Sequence, residues 1–236
     1  MISANTIVVS ILWAGLSAPL LSSPDLSWYR EFHFGTSLPI VAKQIHMKPS
    51  EAKTIHERPA VIQELEWQTQ IYSDPSPRAD SVKGILFSFY NGELFRIVVT
   101  YDSGRTEGMT DEDFIGAVSA KYGPDTRPAA DITLSATHLY NDGEKITSIR
   151  SEKVIARWED AQYSFNLIRS SSLYDYGLVM YSKRLDALAQ AAITEAIRLD
   201  EQEAPQREIA RQQKKDEENR VRQEKARRTN KVPFRP

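Results

Sequence analysis

The chain contains no cysteine among its 236 residues. That absence excludes disulfides, thiol catalysis, cysteine-ligated metals and a lipid-modified N-terminal cysteine, so packing alone must hold any exported form together. Glycine is sparse at ten residues, and the twelve prolines are scattered. No GxxxxGK[ST] or GxGxxG phosphate loop occurs, and Gly104-Arg105-Thr106-Glu107-Gly108 reads as a polar turn. There is no GxSxG elbow and no SxxK in a suitable setting. The four histidines, His33, His46, His56 and His138, never stand at the two- to four-residue spacing that places imidazoles on one metal. Catalytic residues, cofactor and metal are all expected to be absent, and the balance leans away from an enzyme.

Hydrophobic residues make up 41%, enough for a folded core. The net charge of −2 conceals an asymmetry. From Pro205 onward, eleven basic residues face five acidic ones, giving that segment +6 and leaving −8 on positions 1–204. An acidic body carrying a basic tail is the pattern of an interaction segment. The first charged side chain is Asp25, and an apolar run from Ile7 to Ala18 precedes it. The run has the length of a signal-peptide core and is too short to span a bilayer comfortably. Residues 1–23 are therefore expected to direct export, to a periplasmic or secreted location. The alternative is a cytoplasmic protein with these residues packed into the fold.

The strongest local pattern lies between Val82 and Tyr101. Ile85, Phe87 and Phe89 alternate, Asn91-Gly92 supplies a type I′ turn, and Phe95, Ile97, Val99 and Tyr101 alternate on the return. The second face, with Leu86, Tyr90, Leu94 and Val98, is apolar too, so both sides of this hairpin are expected to be covered. A helix follows, with Thr110 as N-cap, carboxylates Asp111 to Asp113 at its positive end, and a stripe of Phe114, Ile115, Val118 and Tyr122 before Gly123-Pro124. An earlier helix starts near Ser37, with Pro39 in its first turn, and a second helical turn is expected around Ser50 to His56. Val61, Leu65 and Trp67 alternate as a strand. After the Thr110 helix come a weak strand near Ile132 to Leu134, then Val154 to Trp158, Tyr163 to Ile168 and Gly177 to Tyr181. The expected fold class is α+β. An α+β body over 28–181 holds two αβββ-like modules (about 32–102 and 108–181), with antiparallel sheet, packed helices and a long C-terminal helix behind it.

Phe34-Gly35-Thr36-Ser37 leading into a helix, followed by Phe87-Ser88-Phe89-Tyr90-Asn91-Gly92-Glu93-Leu94, resembles exported bacterial modules of the β-lactamase-inhibitor-protein-like type. Lys121-Tyr122-Gly123 with Arg157-Trp158 and the tail resembles exported bacterial proteins of unassigned function. The resemblance spans about residues 32–181 and implies a binding module with a tandem body.

Residues 182–204 carry Leu185, Leu188, Ala192, Ala196 and Leu199 at helical steps and should dock on the body. Residues 205–236 form a charged tail, helical or disordered, with no coiled-coil seam. Trp67, Tyr101, Trp158, Tyr163 and Tyr176 combine apolar area with a polar tip, which suits ligand or partner contact and equally suits core filling. Arg220, Arg222, Lys225, Arg227 and Arg228 are the candidate contacts for an anionic partner, such as a membrane surface. Nucleic acid fits poorly with export and with the lack of interleaved aromatics. The expected function is a non-catalytic exported protein that binds a protein or peptide partner or acts as an envelope scaffold. Two alternatives stand beside it: a small-molecule binder or enzyme with a pocket between the modules, and a cytosolic protein whose tail contacts nucleic acid.

Overall fold

The computed structural model describes residues 25–69, 81–127, 133–140, 146–170 and 176–231. The expected export segment and the polar turn at Asn141-Asp142-Gly143 lie outside them. The fold is α+β, with antiparallel sheet, packed helices and a long C-terminal helix. A two-residue-per-strand hairpin, β1 (Trp28–Tyr29) and β2 (Phe32–His33), leads to α1 (Leu38–Gln44). Then come β3 (Lys53–His56), β4 (Ile62–Gln68), β5 (Val82–Tyr90) and β6 (Glu93–Tyr101). Helix α2 (Asp111–Tyr122) opens a second series: β7 (Thr133–Tyr140), β8 (Ile146–Glu159), β9 (Tyr163–Ser170) and β10 (Tyr176–Ser182). The last described element is α3 (Lys183–Lys231).

All eight longer strands form one antiparallel sheet in the order β3-β4-β5-β6-β10-β9-β8-β7. Each half is thus a helix followed by a four-stranded meander, and the two meanders meet through their last strands, β6 and β10. Val98 lies opposite Val179 at the centre of that junction. The sequence pattern gave three strands in the first half and four, the first of them weak, in the second; the structure has four in each. In the first half the missing strand is β3, where a helical turn had been expected. A single 3-10 turn, Pro49–Glu51, is all that forms there before the chain extends.

The hairpin turns through Asn91 (φ 48°) and Gly92 (φ 83°), the pair of positive φ values that a type I′ turn demands. Asn91 does more than tolerate the geometry. Its side-chain carbonyl accepts the Val61 N–H at 2.9 Å, and its own N–H donates to the Val61 carbonyl at 2.8 Å, tying the turn to β4. In α2 a capping box is complete, with Asp113 donating its N–H to the Thr110 hydroxyl and accepting the Thr110 N–H in return. In β6 the simple alternation fails. Phe89 pairs with Leu94 but Ser88 pairs with Arg96, so Phe95 is the extra residue of a bulge. Leu94 therefore joins Ile97 and Val99 in the main core, while Phe95 turns to the opposite face with Ile62, Leu185 and Ala189.

The main core lies between the sheet and a layer made by α1, α2 and the N-terminal hairpin, with Val41, Phe87, Phe114 and Trp158 among its members. The start of α3 covers part of the other face. Its buried stripe is Leu185, Ala189, Ala192 and Ala196. Leu188, expected in that stripe, is 43% exposed, and small Ala189 takes the contact where the helix crosses the sheet. Beneath this helix a row of side chains crosses the sheet from Lys53 through Glu64 and Ser88 to Arg96. Arg96 is pinned by Asp186 of α3 through Nε at 3.1 Å and Nη2 at 2.5 Å.

Burial pushes the Glu64 carboxyl above the usual range, with Arg96 and Lys53 opposing the shift and Glu66 adding to it. A carboxyl whose pKa rises on folding costs stability once the pH exceeds its unfolded value, because the folded state then holds the poorer anion. Glu64→Gln should accordingly raise the melting temperature at pH 7. The gain should vanish below about pH 4, where the unfolded carboxyl is protonated too. Thermal melts of both proteins across that interval check the sign.

Candidate functional site

Two regions merit consideration: the aromatic side chains gathered under the helical layer, and the part of α3 that leaves the body. The aromatic residues form two chains. Tyr163 stacks on Phe34 with centroids 5.4 Å apart, and Tyr122 meets Phe165 edge-on at 4.9 Å. Tyr101 packs on Phe114 at 5.4 Å, and Phe114 stacks on Tyr176 at 3.9 Å. The Tyr176 hydroxyl donates to Asp111 in the first turn of α2, and burial followed by that bond pushes its pKa up to about 12. Arg169 lies over the same ring, 5.4 Å from its centroid.

Trp158 is 2% exposed, and its indole N–H points at the C-terminal end of α2, 2.9 Å from the Gly123 carbonyl and 3.2 Å from the Ser119 hydroxyl. It anchors α2 to β8 instead of offering a contact surface. Tyr176, at 6% exposure, is likewise core. Trp67, Tyr101 and Tyr163 are half-buried at the margin of the same core. Of the five aromatic candidates, then, two are buried in the core, and the other three lie on three different strands. Among the described residues no group of histidines and carboxylates could hold a metal ion. Two tyrosines that the sequence pattern did not single out as contacts, Tyr29 and Tyr122, share a cluster with Tyr101. Tyr122 had been read only as part of the α2 stripe, and nothing in a lone Trp28-Tyr29 pair marks a hairpin.

The second region begins where α3 passes the end of the sheet. Arg58 grips Glu203 through both terminal guanidinium nitrogens, at 2.7 and 2.6 Å, and Arg207 reaches Asp200 at 3.1 Å and Glu203 at 2.9 Å. These ion pairs bracket Pro205, which lacks the N–H that the helix would otherwise donate to Glu201. The helix nonetheless continues, so the segment expected as helical or disordered is helical to Lys231. From Ala204 to Lys231 every residue is exposed. At 1.5 Å per residue the stretch from Glu208 to Lys231 extends about 36 Å.

Pairs one turn apart sustain this exposed helix: Glu208 with Arg211, Glu217 with Arg220 and Glu224 with Arg228, at 2.6 to 2.8 Å. Two of the five basic candidates, Arg220 and Arg228, are therefore engaged within the helix. Arg222, Lys225 and Arg227 make no ion pair among the described residues; Arg222 and Lys225, three positions apart, share one face of the helix, and Arg227 lies away from it. Among those residues no helix is long and apolar enough to cross a membrane. No family model, curated protein or solved structure matches the chain.

Two expectations follow. Trp158→Phe, which keeps the ring but strands the Gly123 carbonyl, should lower unfolding free energy by about 1–3 kcal/mol in a denaturant titration. The second concerns the root of the arm, where Arg58 and Arg207 pull the Glu203 carboxyl down to about 2. A lowered pKa means that the contact persists through the ordinary glutamate range and is lost only as the pH falls through that low value. The distance distribution between spin labels at Lys83 and Arg227 should stay narrow from pH 7 to pH 4 and broaden in Arg58→Ala at every pH.

Proposed function

We propose that this protein is a non-catalytic, exported scaffold that holds a rigid basic helix against an anionic membrane surface while its body binds a protein or peptide. The observation that carries the reading is the form of α3: one helix, packed on the sheet at its start, ion-paired at its root, and carrying near its end Arg222, Lys225 and Arg227, which make no ion pair among the described residues. A disordered tail would be a tether of variable length. A helix fixed at its root sets both distance and direction.

The chemistry of the exposed stretch favours adsorption over insertion. Its large apolar residues are Ile209 and Val221, which are 60% and 55% exposed and twelve positions apart, so no apolar face exists to enter a bilayer. Arg222 and Lys225 together on one face let the helix lie on a charged surface, and each cation near anionic head groups contributes about 1 kcal/mol. The apolar N-terminal run and the resemblance to inhibitor-like binding modules support an envelope setting and a non-catalytic body.

Co-sedimentation with vesicles checks this. The full chain should bind vesicles containing phosphatidylglycerol and ignore pure phosphatidylcholine, with affinity falling steeply as salt rises. Reversing Arg222, Lys225 and Arg227 to Glu should weaken binding by roughly a hundredfold or more, from about 1 kcal/mol per lost cation. Melting of the body should be unchanged. Salt-insensitive binding, or binding to duplex DNA without binding to anionic vesicles, would sink the proposal.

A further inference from the structure

The two edges of the sheet are built differently. At one edge β3 is four residues long, begins with Lys53 and shifts register between Thr54 and His56. Shortness, an edge lysine and a bulge are all devices that keep an edge strand from pairing with another chain. At the opposite edge β7 runs eight residues, Thr133-Leu134-Ser135-Ala136-Thr137-His138-Leu139-Tyr140, without Lys, Arg, Asp, Glu, Pro or Gly. Its register with β8 is unbroken from Thr133 opposite Lys153 to Tyr140 opposite Ile146. The two strands hold equivalent places in the two halves, so the contrast comes from their sequences and not from the topology.

Strand β7 is also the outer half of a projecting ribbon. Strand β8 has fourteen residues, but its pairing with β9 starts only at Glu152, opposite Ser170. Among the described residues, Ile146 to Ser151 therefore have β7 as their one neighbour, and Ser135 to Tyr140 have only them. At about 3.4 Å per residue, this leaves roughly 20 Å of two-stranded ribbon beyond Ser170. Two strands alone are marginal in water, and a third strand is what makes such a ribbon persist.

We propose that a second copy of this chain supplies that strand: β7 pairs antiparallel with β7 of the copy about a two-fold axis, giving one sheet in the order β8-β7-β7-β8. Strand addition is read mainly through backbone N–H and C=O groups, which many extended segments could offer. Two observations favour the copy. Both molecules carry the same incomplete ribbon, so a single self-complementary contact completes two of them. An axis near Ala136 and Thr137, the middle of β7, also sets like residues beside like, which a charged strand would resist and this uncharged one accepts. The contact needs nothing from the basic arm and stands or falls without the membrane reading.

Sedimentation velocity of the full chain over a concentration series gives the first test, with a monomer–dimer equilibrium expected. Thr137→Lys and Thr137→Glu should each weaken dimerisation by roughly tenfold or more, because like charges then meet directly or diagonally across the axis. An equimolar mixture of the two variants should restore the dimer, a result that damage to the fold could not produce. A wild type that stays monomeric overturns the proposal, as does a dimer indifferent to both variants. Cysteine scanning tests the register even if those variants fold poorly, since the chain has no cysteine of its own. Oxidation should link Ala136→Cys or Thr137→Cys into dimers, but not Thr133→Cys, which antiparallel pairing holds roughly 20 Å or more from its counterpart. Equal linkage at Thr133 would rule out the antiparallel two-fold.

Discussion

The pairing of β6 with β10 is the constraint on which the molecule turns. A four-stranded meander that stood alone would leave its last strand as an open edge, with a row of unsatisfied N–H and C=O groups. Here the last strand of each half is the other's partner, from Gly177 opposite Thr100 to Tyr181 opposite Arg96. The approach is close. A Cβ at Gly177 would meet the Val99 carbonyl at 3.0 Å and the Ile168 side chain at 3.1 Å, so the junction accepts glycine and resists anything larger. Both helices that open the halves fall on one face, where they and the hairpin enclose the main core. The other face is left for α3, which starts directly after β10 and so inherits its position from the central pair.

Local features were legible in the sequence because short-range chemistry decides them. The Asn91-Gly92 turn and the Thr110 N-cap depend on residues no more than a few positions apart, and both form as expected. Features set by a distant partner were not legible. The bulge at Phe95 exists only in relation to the register of β5, and it exchanges the faces of Leu94 and Phe95. Lys53-Thr54-Ile55-His56 is too short a run to mark itself as a strand, despite Thr54 and Ile55, and it pairs along β4. In α3 the apolar periodicity marked the helix, but whether Leu188 or Ala189 faces inward depends on the crossing with the sheet.

The candidate sites divide in the same way. The unpaired cations of the arm could be read from charge alone, because an exposed helix leaves each side chain where the sequence places it. The helical state of the arm rests on acid–base pairs at three- and four-residue spacing, which were visible, and on the grip of Arg58, which was not. Aromatic residues gave the poorest return. Their chemistry serves contact and core equally, and only the fold decides between Trp158, sealed beneath α2, and Tyr122, sealed with its hydroxyl unmet.

The topology also fixes an order of events during synthesis. Strand β6 is complete once Tyr101 has left the ribosome, but its only outer neighbour, β10, ends at Ser182. At about 5–20 residues per second, the β6 edge waits roughly 4–16 s for its partner. It is a nine-residue strand rich in Ile, Val and Phe, the kind of segment that recruits a copy of itself from a neighbouring chain. The first half without the second would therefore present that edge unpaired, and it is closed only when β10 takes its place beside β6.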